Sequence, residues 1–196
     1  MSRLTRAESR ARTRELLLAT ARELFLRDGY HATSLEKVAD AAGFSKGAVY
    51  SNFATKDELC EHVITQVRGE HVAAITAVFF AEGELEEHLR AFDAWAEATV
   101  GDPGWTLLEA EFAIHAARSA PDVKARVAEG GRQAAAALTE LLRAELRRSP
   151  RALPLPVEEL AEAILGLGIG LGLRRAVDPA LSPRPLGDLI RLLLVR

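Results

Sequence analysis

Apolar positions recur at helical spacing along most of this chain, and the polar residues between them fall where helices start and stop. Over residues 9–28, Leu16, Leu17, Ala21, Leu24 and Phe25 share one helical face, and Asp28-Gly29 then supplies a stop. Thr33-Ser34-Leu35-Glu36 reads as a capping box, with the Thr33 hydroxyl serving the backbone near Glu36; it opens a short helix that turns Leu35, Val38 and Ala39 inward. Ala42-Gly43-Phe44 is a turn, because Gly43 can adopt the left-handed conformation that ends a helix, and Ser45 can cap the helix after it. A second capping box, Thr55-Lys56-Asp57-Glu58, begins a long helix toward Phe80.

Further on, Glu82-Gly83, the run from Gly101 to Gly104, Ser119-Ala120-Pro121 and the segment 149–156 punctuate the chain. They predict helices near 84–100, 104–118, 121–148 and 157–176, and a last short helix carries Leu189, Ile190, Leu192 and Leu193. No segment alternates with period two, so the fold class is all-α. Two short capped helices behind a glycine turn, packed on a longer preceding helix, are the parts of a helix-turn-helix. The expected organisation is a three-helix unit over residues 1–54 followed by a larger helical body over 55–196.

Charge sharpens this division. The 196 residues carry a formal net charge of -3, yet residues 1–56 hold ten Lys and Arg against six Asp and Glu, which leaves the remainder acidic. A basic head on an acidic body suits a nucleic-acid-binding end joined to a separate regulatory part, although uneven charge alone also arises by chance. The single cysteine, Cys60, cannot form an intrachain disulfide, and the polar start MSRLTRAESR is no signal peptide, so a cytoplasmic setting is expected. The apolar stretch Ala163 to Leu173 falls short of the ~20 residues a membrane span needs. No membrane role is expected.

The stretch from Gly29 to Leu59 carries Gly29-Tyr30, Thr33-Ser34, Val38-Ala39, Ala42-Gly43-Phe44-Ser45, Gly47, Tyr50, Phe53 and Lys56 in order. In that order it closely resembles the DNA-binding signature of the TetR (tetracycline-repressor-like) family. The resemblance is specific over the first quarter to third of the chain and architectural afterwards. It implies a ligand-responsive transcriptional regulator, usually a repressor, that binds a palindromic operator in double-stranded DNA as a homodimer, with residues 1–54 as the helix-turn-helix DNA-binding domain and 55–196 as the helical ligand-binding and dimerisation domain. Where the family often has His or Tyr before the phenylalanine, this chain has Ser51-Asn52.

The residues themselves agree. With Ser45 to Asn52 as recognition helix, Ser45, Lys46 and Gly47 come close to base edges and phosphates, and Gly47 lets the backbone approach. Tyr50 suits a phosphate hydrogen bond at the groove edge, and Lys56 would place a cation on a phosphate, as Thr33 and Ser34 could place donors. Ser51 and Asn52 lie within reach of DNA, with Asn52 open to a base or a phosphate. Thr33, Ser45 and Thr55 also read as caps, and Phe44, Val49 and Phe53 as core. Arg3, Arg6, Arg10, Arg12 and Arg14 form a basic lead-in that is either a solvated tail or an arm reaching DNA.

In the body, Phe92, Trp95, Trp105, Leu108, Phe112 and His115 gather on two predicted helices, and Glu111 lies four residues before His115 on one face. Such a set is ordinary core or a mainly apolar pocket for a small aromatic or apolar effector, and the family usually holds its inducer between these helices. Gly166, Gly168, Gly170 and Gly172 call for the close approach of another helix; the resemblance implies a dimer interface built by the last two long helices, which residues 121–148 and 157–176 match, with Gly166 and Gly170 as its contact points. His31, His62, His71, His88 and His115 show no metal-ligand spacing, and no nucleophile motif is present, so neither metal nor cofactor is expected. The alternatives are an enzyme using Glu111 and His115 as acid and base, which leaves residues 29–59 unexplained, and a helical adaptor using its C-terminal apolar surface for a partner.

Overall fold

A computed structural model describes residues 5–195. Arg3 of the basic lead-in lies outside them. Among the described residues there are nine helices and no strand: α1 (Arg6–Ala32), α2 (Leu35–Ala42), α3 (Lys46–Asn52), α4 (Lys56–Phe80), α5 (Leu85–Thr99), α6 (Pro103–Ala117), α7 (Pro121–Arg148), α8 (Val157–Val177) and α9 (Arg184–Leu194).

The chain divides into two compact units. The first holds the residues up to Gln66 together with Leu108–Lys124, and the second holds Val67–Leu107 and Ala125–Arg196. No helix of the described residues is long and apolar enough to cross a membrane.

In the first unit, α1 starts earlier than its apolar stripe. Thr5 accepts from the Glu8 amide at 3.2 Å and the Glu8 carboxylate accepts from the Thr5 amide at 2.7 Å, so a capping box makes Arg6 to Arg14 helical. The helix breaks at Gly29, whose φ of 80° is left-handed. At eight and seven residues, α2 and α3 are too short to persist alone, so burial must hold them. Leu35, Val38, Ala39, Val49 and Phe53 are all sealed into a core with Leu17, Ala21, Phe25, Leu59 and Val63. Each large side chain contributes about 1.5–3 kcal/mol by leaving water.

The turn between α2 and α3 is a Schellman motif. The Phe44 amide donates to Ala39 O at 2.9 Å and the Gly43 amide to Asp40 O at 3.3 Å, with Gly43 at φ 72°.

In the second unit, Phe79, Leu89, Phe92, Ala96, Leu141, Leu142, Leu160, Ala161, Ile164, Leu171, Leu186, Ile190 and Leu194 form the core. Within α8, a Cβ on Gly172 would lie 3.6 Å from Gly101 and Thr106, and one on Gly168 would lie 3.8 Å from Leu186 of α9. A Cβ on Gly166 or Gly170 would meet nothing within 4 Å among the described residues. These two glycines share an exposed face with Ile169, Leu173 and Val177.

Candidate nucleic-acid interface

The α2-turn-α3 segment presents a short helix whose first turn is open. Ser45 caps it, accepting from the Ala48 amide at 3.2 Å, and Lys46 and Gly47 beside it are exposed. A Cβ on Gly47 would meet only Ser45 Oγ, at 3.9 Å, so the backbone there is bare. Tyr50, half-exposed, donates its hydroxyl to Glu36 Oε1 at 2.9 Å and thereby ties α3 to α2. The Glu36 carboxyl is held below its ordinary range, first by its own backbone amide and then by Tyr50. Ser51 Oγ and Asn52 Nδ2 both turn back onto the Ala48 carbonyl, at 2.9 and 2.8 Å.

Three residues marked by the sequence sit differently from the rest. Ser34, not Thr33, caps α2, accepting from the Lys37 amide at 3.2 Å. Thr33 is 1% exposed, and its hydroxyl donates to Gly29 O at 2.9 Å. Lys56 donates to Tyr30 O at 2.9 Å and Thr33 O at 3.0 Å, and lies over the Tyr30 ring at 4.0 Å. Burial lowers its pKa. Its ammonium therefore closes the carbonyl end of the last turn of α1, beyond the break at Gly29.

That last turn is gripped again by the α6 part of the same unit. Glu111 Oε2 accepts from the Tyr30 amide at 2.7 Å and the His31 amide at 3.4 Å. Position 29 favours glycine through its φ of 80°, and a Cβ there would also lie 2.8 Å from that oxygen, so the Glu111 side chain would have to shift. The Tyr30 hydroxyl donates to Asp57 and lies 3.0 Å from His115 Nε2, which in turn is 3.2 Å from Asp57 Oδ2 and 3.1 Å from Ser119 Oγ. Burial, then the Asp57 hydrogen bond, pushes the Tyr30 phenol well above its ordinary range. Sequence reasoning missed Asp57 and Tyr30 as members of this network, and nothing in local spacing points to partners 27 to 85 positions apart.

The residues read as an effector pocket divide between the units. Leu108 and Phe112 are buried in the first, where the Phe112 ring tilts against Tyr30 at 5.3 Å. Phe92, Trp95 and Trp105 belong to the second, where His71 meets both indoles edge-on, at 6.1 Å from Trp95 and 5.2 Å from Trp105. A surface cleft of about 380 Å³ in that unit is lined instead by α5 and α9 residues, among them Glu86, Asp93, Glu97, Asp188 and Arg191. Cys60 is fully buried and burial raises its thiol pKa, which disfavours thiolate chemistry. Among the described residues no three His, Cys, Asp or Glu side chains are grouped to hold a metal ion.

Comparison with known proteins bears on the same segment. Residues 17–63 match the family model of bacterial regulatory proteins, tetR family. The transcriptional activator FasR of Mycolicibacterium smegmatis is 33% identical over 90 residues, which are 46% of this chain and 39% of that protein. The transcriptional repressor BepR of Brucella suis biovar 1 is 36% identical over 66 residues, 34% of this chain and 31% of that protein. The matched part thus spans well under half the length of these relatives. In fold, the chain resembles a TetR-family transcriptional regulator from Agrobacterium tumefaciens, with a TM-score of 0.68 at 22% identity, covering 91% of this chain and 97% of that one.

Proposed function

We propose, from the premise that this chain belongs to the tetR family of bacterial regulatory proteins, that it is a cytoplasmic, ligand-responsive regulator that binds a palindromic operator as a homodimer. The observation that carries this reading is the open first turn of α3, with exposed Ser45, Lys46 and Gly47 held on a rigid three-helix base. Lys46 is the candidate for base contact and Tyr50 for phosphate. Repression is the mode we favour, although the named relatives include an activator and a repressor.

Dimerisation through α8 is supported by the exposed stripe of Gly166, Ile169, Gly170, Leu173 and Val177, which recurs at helical spacing. Two heads so joined would read half-sites roughly one helical turn, ~34–36 Å, apart. The effector is taken to be a small aromatic or apolar molecule beside Phe92, Trp95 and Trp105. Glu111 and His115 are engaged with Tyr30 in the last turn of α1, which supports a relay role for α6 rather than acid–base catalysis.

The test is selection of fragments from a random double-stranded DNA pool by the purified full chain, followed by titration at several salt concentrations. A palindromic consensus whose binding weakens steeply with salt is expected. Recovery of no preferred sequence would overturn the reading.

A further inference from the structure

The recognition helix α3 contains no basic residue in its last turn, yet it ends on carbonyls that no later residue of the helix can serve. Two arginines of α1 serve them. Arg10 Nη2 donates to Ser51 O at 2.9 Å, and Arg14 Nη1 donates to Asn52 O at 2.5 Å. The two arginines are four residues apart, on one face of α1.

Arg14 is held on two further sides. Its guanidinium lies 4.1 Å from the centroid of the fully buried Phe53 ring, the residue that terminates α3. Its Nη2 lies 2.8 Å from Nε2 of His62 on α4. A guanidinium only donates, so that histidine nitrogen must carry the lone pair. One planar cation thus joins α1, the end of α3 and α4, which a flexible ammonium could not reproduce.

We infer that Arg14, with Arg10 beside it, is a positioning residue for operator recognition: it clamps the C-terminal end of α3 and so sets the angle at which Lys46 and Gly47 meet the bases. The inference rests on the proposed operator-binding function. Its physical basis is that base readout requires side chains held to within roughly 0.5 Å, whereas phosphate contacts tolerate more freedom. Loosening the far end of a seven-residue helix blurs the first kind of contact and spares the second. The clamp also assigns these two cations of the basic lead-in to the protein's own backbone rather than to DNA.

The experiment compares the full chain with Arg14→Ala, Arg14→Gln, Arg14→Lys and Arg10→Ala, and with Arg12→Ala as an exposed α1 charge. Each is titrated against the fragment selected by the unmodified chain and against a shuffled fragment of equal composition, over a range of salt. Arg14→Ala is expected to lose about tenfold in affinity on the selected fragment and no more than about twofold on the shuffled one, with the salt dependence unchanged. A lost phosphate contact would instead weaken both fragments alike and flatten the log–log salt slope by ~0.9, which would overturn the inference.

Arg14→Gln keeps a donor without the charge, and should retain part of the selectivity at an unchanged slope. Arg14→Lys keeps the charge without the flat two-ended donor, and should lose selectivity; full selectivity in this variant would overturn the clamp. Circular dichroism keeps the comparison to folded variants, and the Gln and Lys forms decide the matter where Ala does not fold. Failure of the unmodified chain to select any sequence would remove the operator reading and this inference together. A selected sequence that the Arg14 variants bind as well as the unmodified chain does would remove this inference alone.

Discussion

The hydroxyl of Tyr50 has one proton to donate, and in the free chain Glu36 accepts it. Any phosphate that Tyr50 is to bind must therefore displace a carboxylate, which itself repels DNA. Glu36→Gln is expected to tighten binding to selected and shuffled DNA alike by about twofold to tenfold, because it removes an anion and weakens the competing acceptor. Fluorescence anisotropy at 50–200 mM salt would measure this, and unchanged or weaker binding would exclude Tyr50 from the phosphate contacts. Tyr30 shows the same group under burial, with its pKa raised above that of an unfolded tyrosine, near 10. Below that pH both states keep the proton. Above it the unfolded chain releases a proton that the folded chain retains, so stability falls as pH rises. The thermal midpoint should decline above about pH 10, and Tyr30→Phe should flatten that limb. An identical alkaline limb in the variant would assign the decline to other groups.

At the scale of elements, α8 separates its glycines by what they face. A Cβ on Gly168 or Gly172 would meet Leu186, or Gly101 and Thr106, of the same chain, whereas one on Gly166 or Gly170 would meet nothing within 4 Å among the described residues. Leucine at 168 or 172 should overpack the second unit and lower its stability by about 1–3 kcal/mol. Leucine at 166 and 170 should leave the monomer folded and disrupt a dimer, read by light scattering at micromolar concentration. A dimer indifferent to the outer pair would move the interface elsewhere. The sequence assigned all four glycines to one interface, because spacing alone cannot distinguish two faces that both need small residues. Helix limits were more legible: the predicted 121–148 matches α7, since Pro121 and the segment after Arg148 both interrupt helical hydrogen bonding. Adjacent Thr33 and Ser34 are equally good caps on paper, and burial of Thr33 decides between them. The Thr5–Glu8 box was readable by the same rule and would have placed Arg6 to Arg14 in a helix. Glu111 and His115 were visible as one helical face, but the end of α1 that they hold is remote in sequence, so their spacing could not identify it.

For the whole molecule, the proposed response to an effector is a question of linkage. A ligand shifts the chain between arrangements only by binding one better than the other, and the operator does the same. If an aromatic compound lowers operator affinity tenfold, the coupling is ~1.4 kcal/mol, and operator DNA must weaken that compound's binding by the same factor. The chain has two tryptophans, Trp95 and Trp105, both in the second unit and both against His71, so its own fluorescence can report occupancy. A panel of one- and two-ring aromatic compounds would be titrated against the full chain, alone and with saturating operator fragment. The quenching midpoint is expected to move about tenfold higher when the operator is present. Replacing Trp105 with Phe should weaken the ligand without changing operator affinity in its absence, since that residue is not assigned to the DNA-binding face. A compound that quenches with the same midpoint in both titrations would mark a binding site with no coupling, and the switch would then have to be sought outside the aromatic set.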